Sequence, residues 1–536
     1  MYYIILVLLT LIQTIVFVQM TGMSMFIAQA YIIRLLCNYT AAAMVLWLPL
    51  LFTPKRRWTY IVTILLDVWF VGNLIYFNSY GDVLNRWCLL NISNMRGIWD
   101  SILPYLQIRY LIFPCISILW IVLSEIVLVQ FRQPLWKRTT VACIGLCIVC
   151  VPQTAIAPKN ELPISPFAKY YADVSMGRIW YMHTFGPITH LANETVQLIR
   201  NTEEQPSAIT PEEIAPFIQT PDLTGEKGNL LFIFFESLEE RIIGLRVNGR
   251  EVTPNINRLV AHSKTGHYAI TAQVKEGKSS DAQLIAFNGL LPIANGATAM
   301  RYAGNTYPSL VRYSHATTKQ LYAAYPDYMW NQRMNALAYG FDSLYACEMS
   351  DLKLMQMVSH AINNATRPFI LTAVTMASHS PFTAYADSTG WQVTDNRYTH
   401  SEAKYLQCVH YTDNAIGKLI DAILIDSILA ATTQIVITGD HPIFDLNEPV
   451  PFIIYNPFAS PVTTNKPHFQ TDIYTTLIEN MHIATPWHGL GKNISDTTSY
   501  PPMEMLYNLS DRIIRSDYFS TRAHSCIQVM QTTQPE

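Results

Sequence analysis

Charge is what this sequence has least of. Lys, Arg, Asp and Glu make up 14% of its 536 residues, against roughly 25% in an average soluble domain. Half of the residues are apolar and the mean hydropathy is +0.17. Such a chain can bury enough surface to fold, which excludes disorder, and it argues against a wholly soluble protein. A basic excess is also missing. The formal net charge is -3, which removes the electrostatic footprint of a nucleic-acid binder. Cysteine is sparse: of nine, only Cys347, Cys408 and Cys526 follow residue 157. At most one disulfide can form among those three, and the sequence does not choose the pair. Cys143, Cys147 and Cys150 share a helix face at i, i+4 and i+7, which reads as small apolar packing rather than a metal cluster. The first apolar run lacks a basic leader and a small-residue cleavage pattern, so it reads as retained and not as a signal peptide.

What charge there is lies unevenly. Residues 1–157 hold ten Lys/Arg and four Asp/Glu, a net +6, which leaves a net -9 for the remainder. Five apolar runs fall in the front part, at about 2–20, 38–53, 59–78, 108–130 and 139–156. Most approach the ~20 residues that a helix needs to cross a bilayer core. Lys55, Arg56 and Arg57 follow the second run, and Arg132, Lys137 and Arg138 follow the fourth. By the positive-inside bias both loops are cytoplasmic. The expectation is a five-helix bundle in the cytoplasmic membrane over 1–157, with everything after it outside the cytoplasm. Segment 79–107, with Trp87, Trp99 and Tyr105, then faces outward, as an interfacial stretch or an ordinary loop. Asp67 and Glu125 fall inside spans, where an acid is a functional candidate or a bundle contact.

Residues 158–229 carry eight prolines and room for two short helices, at about 188–200 and from Thr210-Pro211-Glu212-Glu213, where a capping residue precedes proline. They read as a linker. From 230 the pattern is α/β. Leu230–Phe235, Tyr268–Val274, Pro368–Thr375, Gln434–Thr438 and Pro451–Tyr455 are apolar runs of strand length. Helical patterns fall at Pro254–Ala261, Ser280–Asn288, Glu402–Leu424 and about 471–481. Buried strands alternating with helices predict a mostly parallel sheet covered on both faces, over 230–536.

In such a sheet the site lies beyond the carboxyl ends of the strands, and polar residues gather there. Glu236-Ser237 follows the first strand, Ser378-His379-Ser380 the Pro368 strand, and Gly439-Asp440-His441 the Gln434 strand. Gly277-Lys278-Ser279-Ser280-Asp281 is a glycine turn whose hydroxyls open a helix. Carboxylates with an imidazole suit Zn²⁺ or Mn²⁺. A cation beside a serine hydroxyl lowers its pKa and makes it a nucleophile, and a helix N-terminus favours phosphoryl oxygens. The residues therefore point to a substrate carrying phosphate or sulfate.

These motifs resemble the alkaline phosphatase/sulfatase superfamily, and more closely its lipoteichoic acid synthase and phosphoglycerol transferase family. Ten pieces carry the likeness in order: FFESLEE, TPNINRL, EGKSSDAQ, NGLLP, WNQRMNALAYGFDSLY, ASHSPF, YLQCVHYTDNAIG, ITGDHP, VPFIIYNP and QTDIYTTL. The resemblance implies a metal held by Glu236, Ser279, Asp440 and His441, most readily Mn²⁺, with Zn²⁺ or Mg²⁺ as alternatives. It implies Ser279 as nucleophile, with Ser280 as fallback, and His379 at the substrate phosphate or in proton transfer. Trp330 and Arg333 fall at the family's head-group site. The implied donor is a membrane phospholipid, and the implied acceptor a glycan or lipid-linked hydroxyl. Two departures stand out. Serine replaces the family's usual threonine, and Gln332 occupies the place of its arginine, with Arg333 one position on and Ala323 near the place of an upstream histidine. The Cys/Ser-X-Pro-X-Arg signature of formylglycine sulfatases is missing around Ser279.

The leading expectation is thus a membrane-anchored, metal-dependent transferase that moves a phosphoglycerol or phosphoethanolamine head group through a phospho-serine. A phosphodiesterase or sulfatase-type hydrolase with the same site is the alternative. A non-catalytic envelope-assembly protein is the third reading.

Overall fold

The structure is a computed structural model. It describes residues 2–22, 32–51, 56–80, 82–95, 105–126, a few positions between 134 and 144, 175–200, 205–219, 225, and 227–520 except 348 and 349. Its contacts divide the chain into two compact units, Met1–Leu89 with Ile102–Glu203, and Leu90–Ser101 with Glu204–Glu536.

The first unit is helical. Helices Tyr2–Met20, Ile32–Trp47, Arg56–Tyr80 and Ile112–Ile126 occupy four of the five apolar runs. Two of them, over Tyr3–Met20 and Arg57–Asn78, are long and apolar enough to cross a membrane, and Leu35–Trp47 and Ile108–Ser124 are shorter apolar helices. The expectation of five spans is therefore met by two of full length among the described residues. The fifth run lies almost wholly outside the described residues, as do Trp99 and the side chain of Glu125. The unit's interior is stitched by polar contacts that apolar helices cannot otherwise supply. Asp67 accepts from Gln13 Nε2 at 3.0 Å and from Ser117 Oγ at 2.9 Å, so one carboxylate ties three helices together. Arg178 and Asp82 form a buried ion pair. The expected helix at 188–200 runs Pro187–Arg200 and packs in this unit.

The second unit is built on ten strands: β1 Asn229–Phe235, β2 Arg246–Val247, β3 Arg250–Glu251, β4 Thr265–Thr271, β5 Thr318–Ala323, β6 Ser343–Ala346, β7 Phe369–Val374, β8 Thr433–Gly439, β9 Val450–Tyr455 and β10 His468–Phe469. Eight form one sheet in the order β10-β4-β9-β8-β1-β7-β5-β6, while β2 and β3 make a separate ribbon. Only β9 runs against its neighbours, so the sheet is mostly parallel, as the apolar runs predict. The three central strands β8, β1 and β7 are buried at every residue. Helices that cover both faces make a continuous apolar strand the favoured one. The long helix spans His400–Ile425, opened by a capping box in which Thr399 and Glu402 satisfy each other's backbone N–H groups. The Thr210 cap is of the same kind, opening Pro211–Ile214. Strands β5, β6 and β10 and helices Gln332–Tyr339, Asp351–Asn364 and Met503–Arg515 are additions to the elements that the sequence announces.

Candidate active site

Strand register brings the site together. Phe235 of β1 pairs with Gly439 of β8, so the residues that follow, Glu236 and Asp440, leave the sheet side by side. Phe234 pairs with Val374 of β7, which sends the chain towards Ser378-His379 beside them. The ends are pinned to one another. The Glu236 N–H donates to Thr375 Oγ1 (2.9 Å), Ser378 Oγ donates to the Glu236 carbonyl (2.6 Å), and the Ser237 N–H donates to Asp440 Oδ1 (2.7 Å).

One glycine in this frame has no room for a side chain. A Cβ on Gly439 would lie 2.1 Å from the Leu238 carbonyl oxygen and 3.0 Å from Val450 Cβ. The first obstacle is backbone and cannot rotate away. Gly439→Ala is therefore expected to cost about 1–3 kcal/mol or more by overpacking and to displace Asp440; denaturant unfolding and metal titration of the variant check both.

Three buried donors converge at the strand ends. Glu236, Asp440 and His441 each offer an atom, all within 4.8 Å of one another. His441 Nε2 lies 3.7 Å from Glu236 Oε1 and 3.8 Å from Asp440 Oδ2. Its Nδ1 faces the Pro442 carbonyl at 3.1 Å, which fixes Nδ1 as the protonated nitrogen and turns the Nε2 lone pair to the carboxylates. Ser279 opens the helix Ser279–Asn288. Its hydroxyl donates to Glu236 Oε2 at 3.2 Å and lies 3.5 Å from His441 Nε2. The four residues expected to share one centre thus meet at one point.

The electrostatics ask for a cation. Burial and the adjacent Asp440 hold the Glu236 carboxyl well above its ordinary range, and burial pulls His441 down. Asp440 Oδ1 accepts two backbone N–H groups, but Oδ2 is buried with no hydrogen-bond donor. A buried carboxylate oxygen without a donor is costly unless something positive faces it. Two hard oxygens, an imidazole nitrogen and a hydroxyl form a donor set that fits a divalent ion such as Mn²⁺ or Zn²⁺.

Ser280 is turned away, its hydroxyl donating to the Gly277 carbonyl at 2.7 Å. His379 is half-buried, Nδ1 on the Ser380 carbonyl at 2.7 Å, with its pKa lowered by burial. At the expected head-group site, Trp330 is half-buried against the core. Arg333 is not brought to the centre: its guanidinium is exposed and paired with Asp327. Trp330 and Asn331 are both left-handed, with φ of 52° and 50°, and this turn sends Gln332 inward instead. Gln332 Nε2 donates to Gln283 Oε1 (2.7 Å), Gln283 Nε2 to Tyr325 Oη (3.2 Å), and Tyr325 Oη to Gln332 Oε1 (3.0 Å). This closed, neutral triangle holds the helix of Ser279 one turn below the hydroxyl.

Sequence reasoning overlooked one cation. Lys278 adopts φ 43° and ψ -117°, a conformation costly for a non-glycine residue. Burial lowers its pKa to about 8, while Asp281, Asp440 and Glu236 act to raise it. The signal available was its place directly before the nucleophile candidate.

Two parts of the chain match known domain families. The sulfatase family profile matches residues 228–483, and the lipoteichoic acid synthase N-terminal domain profile matches 1–165. Residues 228–483 thus match a sulfatase domain and residues 1–165 the N-terminal domain of lipoteichoic acid synthases. It is similar to lipoteichoic acid synthase-like YvgJ of Bacillus subtilis, 22% identical over 417 residues, covering 72% of this chain and 65% of the relative. It is also similar to lipoteichoic acid synthase 2 of the same organism, 23% identical over 430 residues, covering 73% and 64%. The match thus spans just under two thirds of these relatives. The integral membrane lipooligosaccharide phosphoethanolamine transferase A of Neisseria meningitidis shares the fold, with TM-score 0.52 at 11% identity, covering 95% of this chain and 98% of that one. With both the family's N-terminal domain and two apolar helices of spanning length, the chain is a membrane protein.

Proposed function

We propose that this family member is a metal-dependent transferase of phosphorylated lipid head groups, anchored in the cytoplasmic membrane by five spans over 1–157, followed by a linker over 158–229 and an outward catalytic domain over 230–536. The observation that carries this reading is the meeting of Glu236, Asp440, His441 and the Ser279 hydroxyl. Those four would hold the ion, most readily Mn²⁺. When bound, the ion lowers the hydroxyl's pKa and offsets phosphoryl charge.

The chain's own groups supply the rest. Glu236 Oε2 orients the Ser279 hydroxyl, and the helix behind Ser279 presents backbone N–H groups to an anionic phosphoryl group. Ser279 Oγ bonds to the phosphorus of a phospholipid as the bond to the diacylglycerol oxygen breaks, and the serine proton ends on that oxygen. An outer hydroxyl then attacks the phospho-serine, and its proton returns to Ser279. His379 serves as the proton carrier between these oxygens. Trp330 and Gln332, not the outward Arg333, border the head group. A neutral amide in place of a guanidinium weakens the case for strictly anionic recognition, so phosphoglycerol and phosphoethanolamine both remain substrates to be offered.

Liposomes carrying fluorescent phosphatidylglycerol or phosphatidylethanolamine, mixed with the full chain, Mn²⁺ and a glycolipid acceptor, test the reading. Labelled diacylglycerol together with head group on the acceptor is the expected result. Free head group alone identifies a hydrolase, and no diacylglycerol under any metal rejects an enzyme. Gln332→Arg is expected to move the preference towards phosphatidylglycerol by about tenfold, as one added charge-assisted hydrogen bond would.

A further inference from the structure

One flank of the sheet is open. Strand β6 is an edge of four residues, and the helix Asp351–Asn364 covers β7 and β5 with Leu354, Met355, Val358 and Ile362. Its next stripe, Lys353, Gln356, His360 and Asn364, follows at spacings of three and four. This stripe and the strand residues Gln320, Tyr322 and Tyr345 line a cavity of about 560 Å³, within the roughly 300–1,000 Å³ of small-molecule sites.

The lining is unlike the underside of a sheet that merely lacks a helix, which would be apolar. Tyr322 and Tyr345 are register partners, and their rings stack with centroids 5.0 Å apart at 17°. Tyr322 is buried and Tyr345 is 41% exposed, so the pair presents one flat aromatic face on a firm base. The Tyr322 hydroxyl donates to Gln320 Oε1 at 2.7 Å, which holds that amide in place. Among the described residues, three carboxamides, one ammonium and one imidazole surround the platform, and no carboxylate lines it. A flat ring face with a C–H underside and a rim of hydroxyls matches this: the underside stacks on the tyrosines, and planar amides both donate to and accept from hydroxyls.

We propose that this groove is a saccharide-binding site, taking a short run of pyranose rings stacked on Tyr345, with Gln320, Gln356 and Asn364 bonding ring hydroxyls and Lys353 donating to a further oxygen. The lining wall also leads towards the catalytic end. The helix begins at Asp351, whose carboxylate accepts the N–H groups of Met376 and Ala377 at 2.8 and 3.1 Å, just before His379. That the groove holds an acceptor glycan rests on the transferase reading; that it binds saccharide does not.

The full chain in detergent, titrated with cellotetraose, chitotetraose and mannotetraose and followed by saturation-transfer NMR and calorimetry, provides the test. At least one is expected to bind. Tyr345→Ala should weaken it about tenfold, Tyr345→Phe should preserve it, and Ser279→Ala should bind like the parent protein. Binding by none of the three, or binding that Tyr345→Ala leaves unchanged, overturns the site. Saccharide binding in a chain that releases no diacylglycerol would sink the transferase reading and leave the groove standing.

Discussion

Ser279→Ala is expected to reduce diacylglycerol release by at least about 10³-fold, as loss of a catalytic nucleophile does, while the protein keeps its fold and its metal. The variant removes a single oxygen. Glu236, Asp440 and His441 keep their mutual positions because each is held by other bonds: Asp440 by two backbone N–H groups, His441 by the Pro442 carbonyl, and Glu236 Oε1 by the Ser237 hydroxyl at 2.7 Å. Intact-mass spectrometry after incubation with phospholipid should show a head-group phosphate adduct on the parent and none on the variant. Ser279→Thr should retain the adduct, since the added methyl leaves the hydroxyl. A parent-like rate in Ser279→Ala, with metal bound, would remove Ser279 from the chemistry. Ser280 is no substitute, because its hydroxyl is spent on the Gly277 carbonyl.

The parts of the fold that sequence alone makes visible are those where burial is complete. LLFIFF, FILTAV and QIVIT are apolar on both sides because helices cover both faces, and each forms a central strand. Thr318–Ala323 and Ser343–Ala346 read TKQLYA and SLYA, and nothing in their pattern marks them as strands. The second is the edge strand and the first its inner neighbour, and neither is buried along its whole length. Among the polar side chains that hide these strands from hydropathy, Thr318, Gln320, Tyr322 and Tyr345 line the open flank.

The site is legible for a related reason. Parallel strands place their carboxyl ends at one edge, so the residues after each apolar run must meet, whatever the intervening hundred or more residues do. The same rule has no purchase on the head-group side. There the decision between Gln332 and Arg333 is made by two successive left-handed residues, Trp330 and Asn331, which turn one side chain in and its neighbour out. Lys278 is marked in the sequence by its place before Ser279, whereas its unusual backbone conformation is seen only in the fold. In the helical unit the spans are legible as apolar runs, whereas the Gln13–Asp67–Ser117 cluster is a meeting of three separate helices that no single run announces.

Glu236→Gln should change the protein's stability in opposite directions with and without metal. In chelated protein, two carboxylates share a buried space, and Glu236 is held well above its ordinary pKa by burial and by Asp440. A carboxyl whose folded pKa lies above its unfolded value, about 4.3 for glutamate, makes the folded state lose stability as pH rises from that unfolded value through the folded one. Neutral pH lies above the unfolded value, so a penalty is present there. Glutamine keeps the shape and removes the charge, so the chelated variant should melt higher than the chelated parent, by roughly 1–2 °C for each ~1 kcal/mol relieved. With Mn²⁺ present the order reverses. The parent gains stability from binding in proportion to the logarithm of metal concentration over Kd, and the variant, short of one anionic donor, gains far less. Differential scanning calorimetry of both proteins, with chelator and with excess Mn²⁺, gives four midpoints. Crossing of the two pairs is the expected pattern. If the chelated parent melts above chelated Glu236→Gln and Mn²⁺ moves neither, the cluster is an ordinary hydrogen-bonded core and not a cation site.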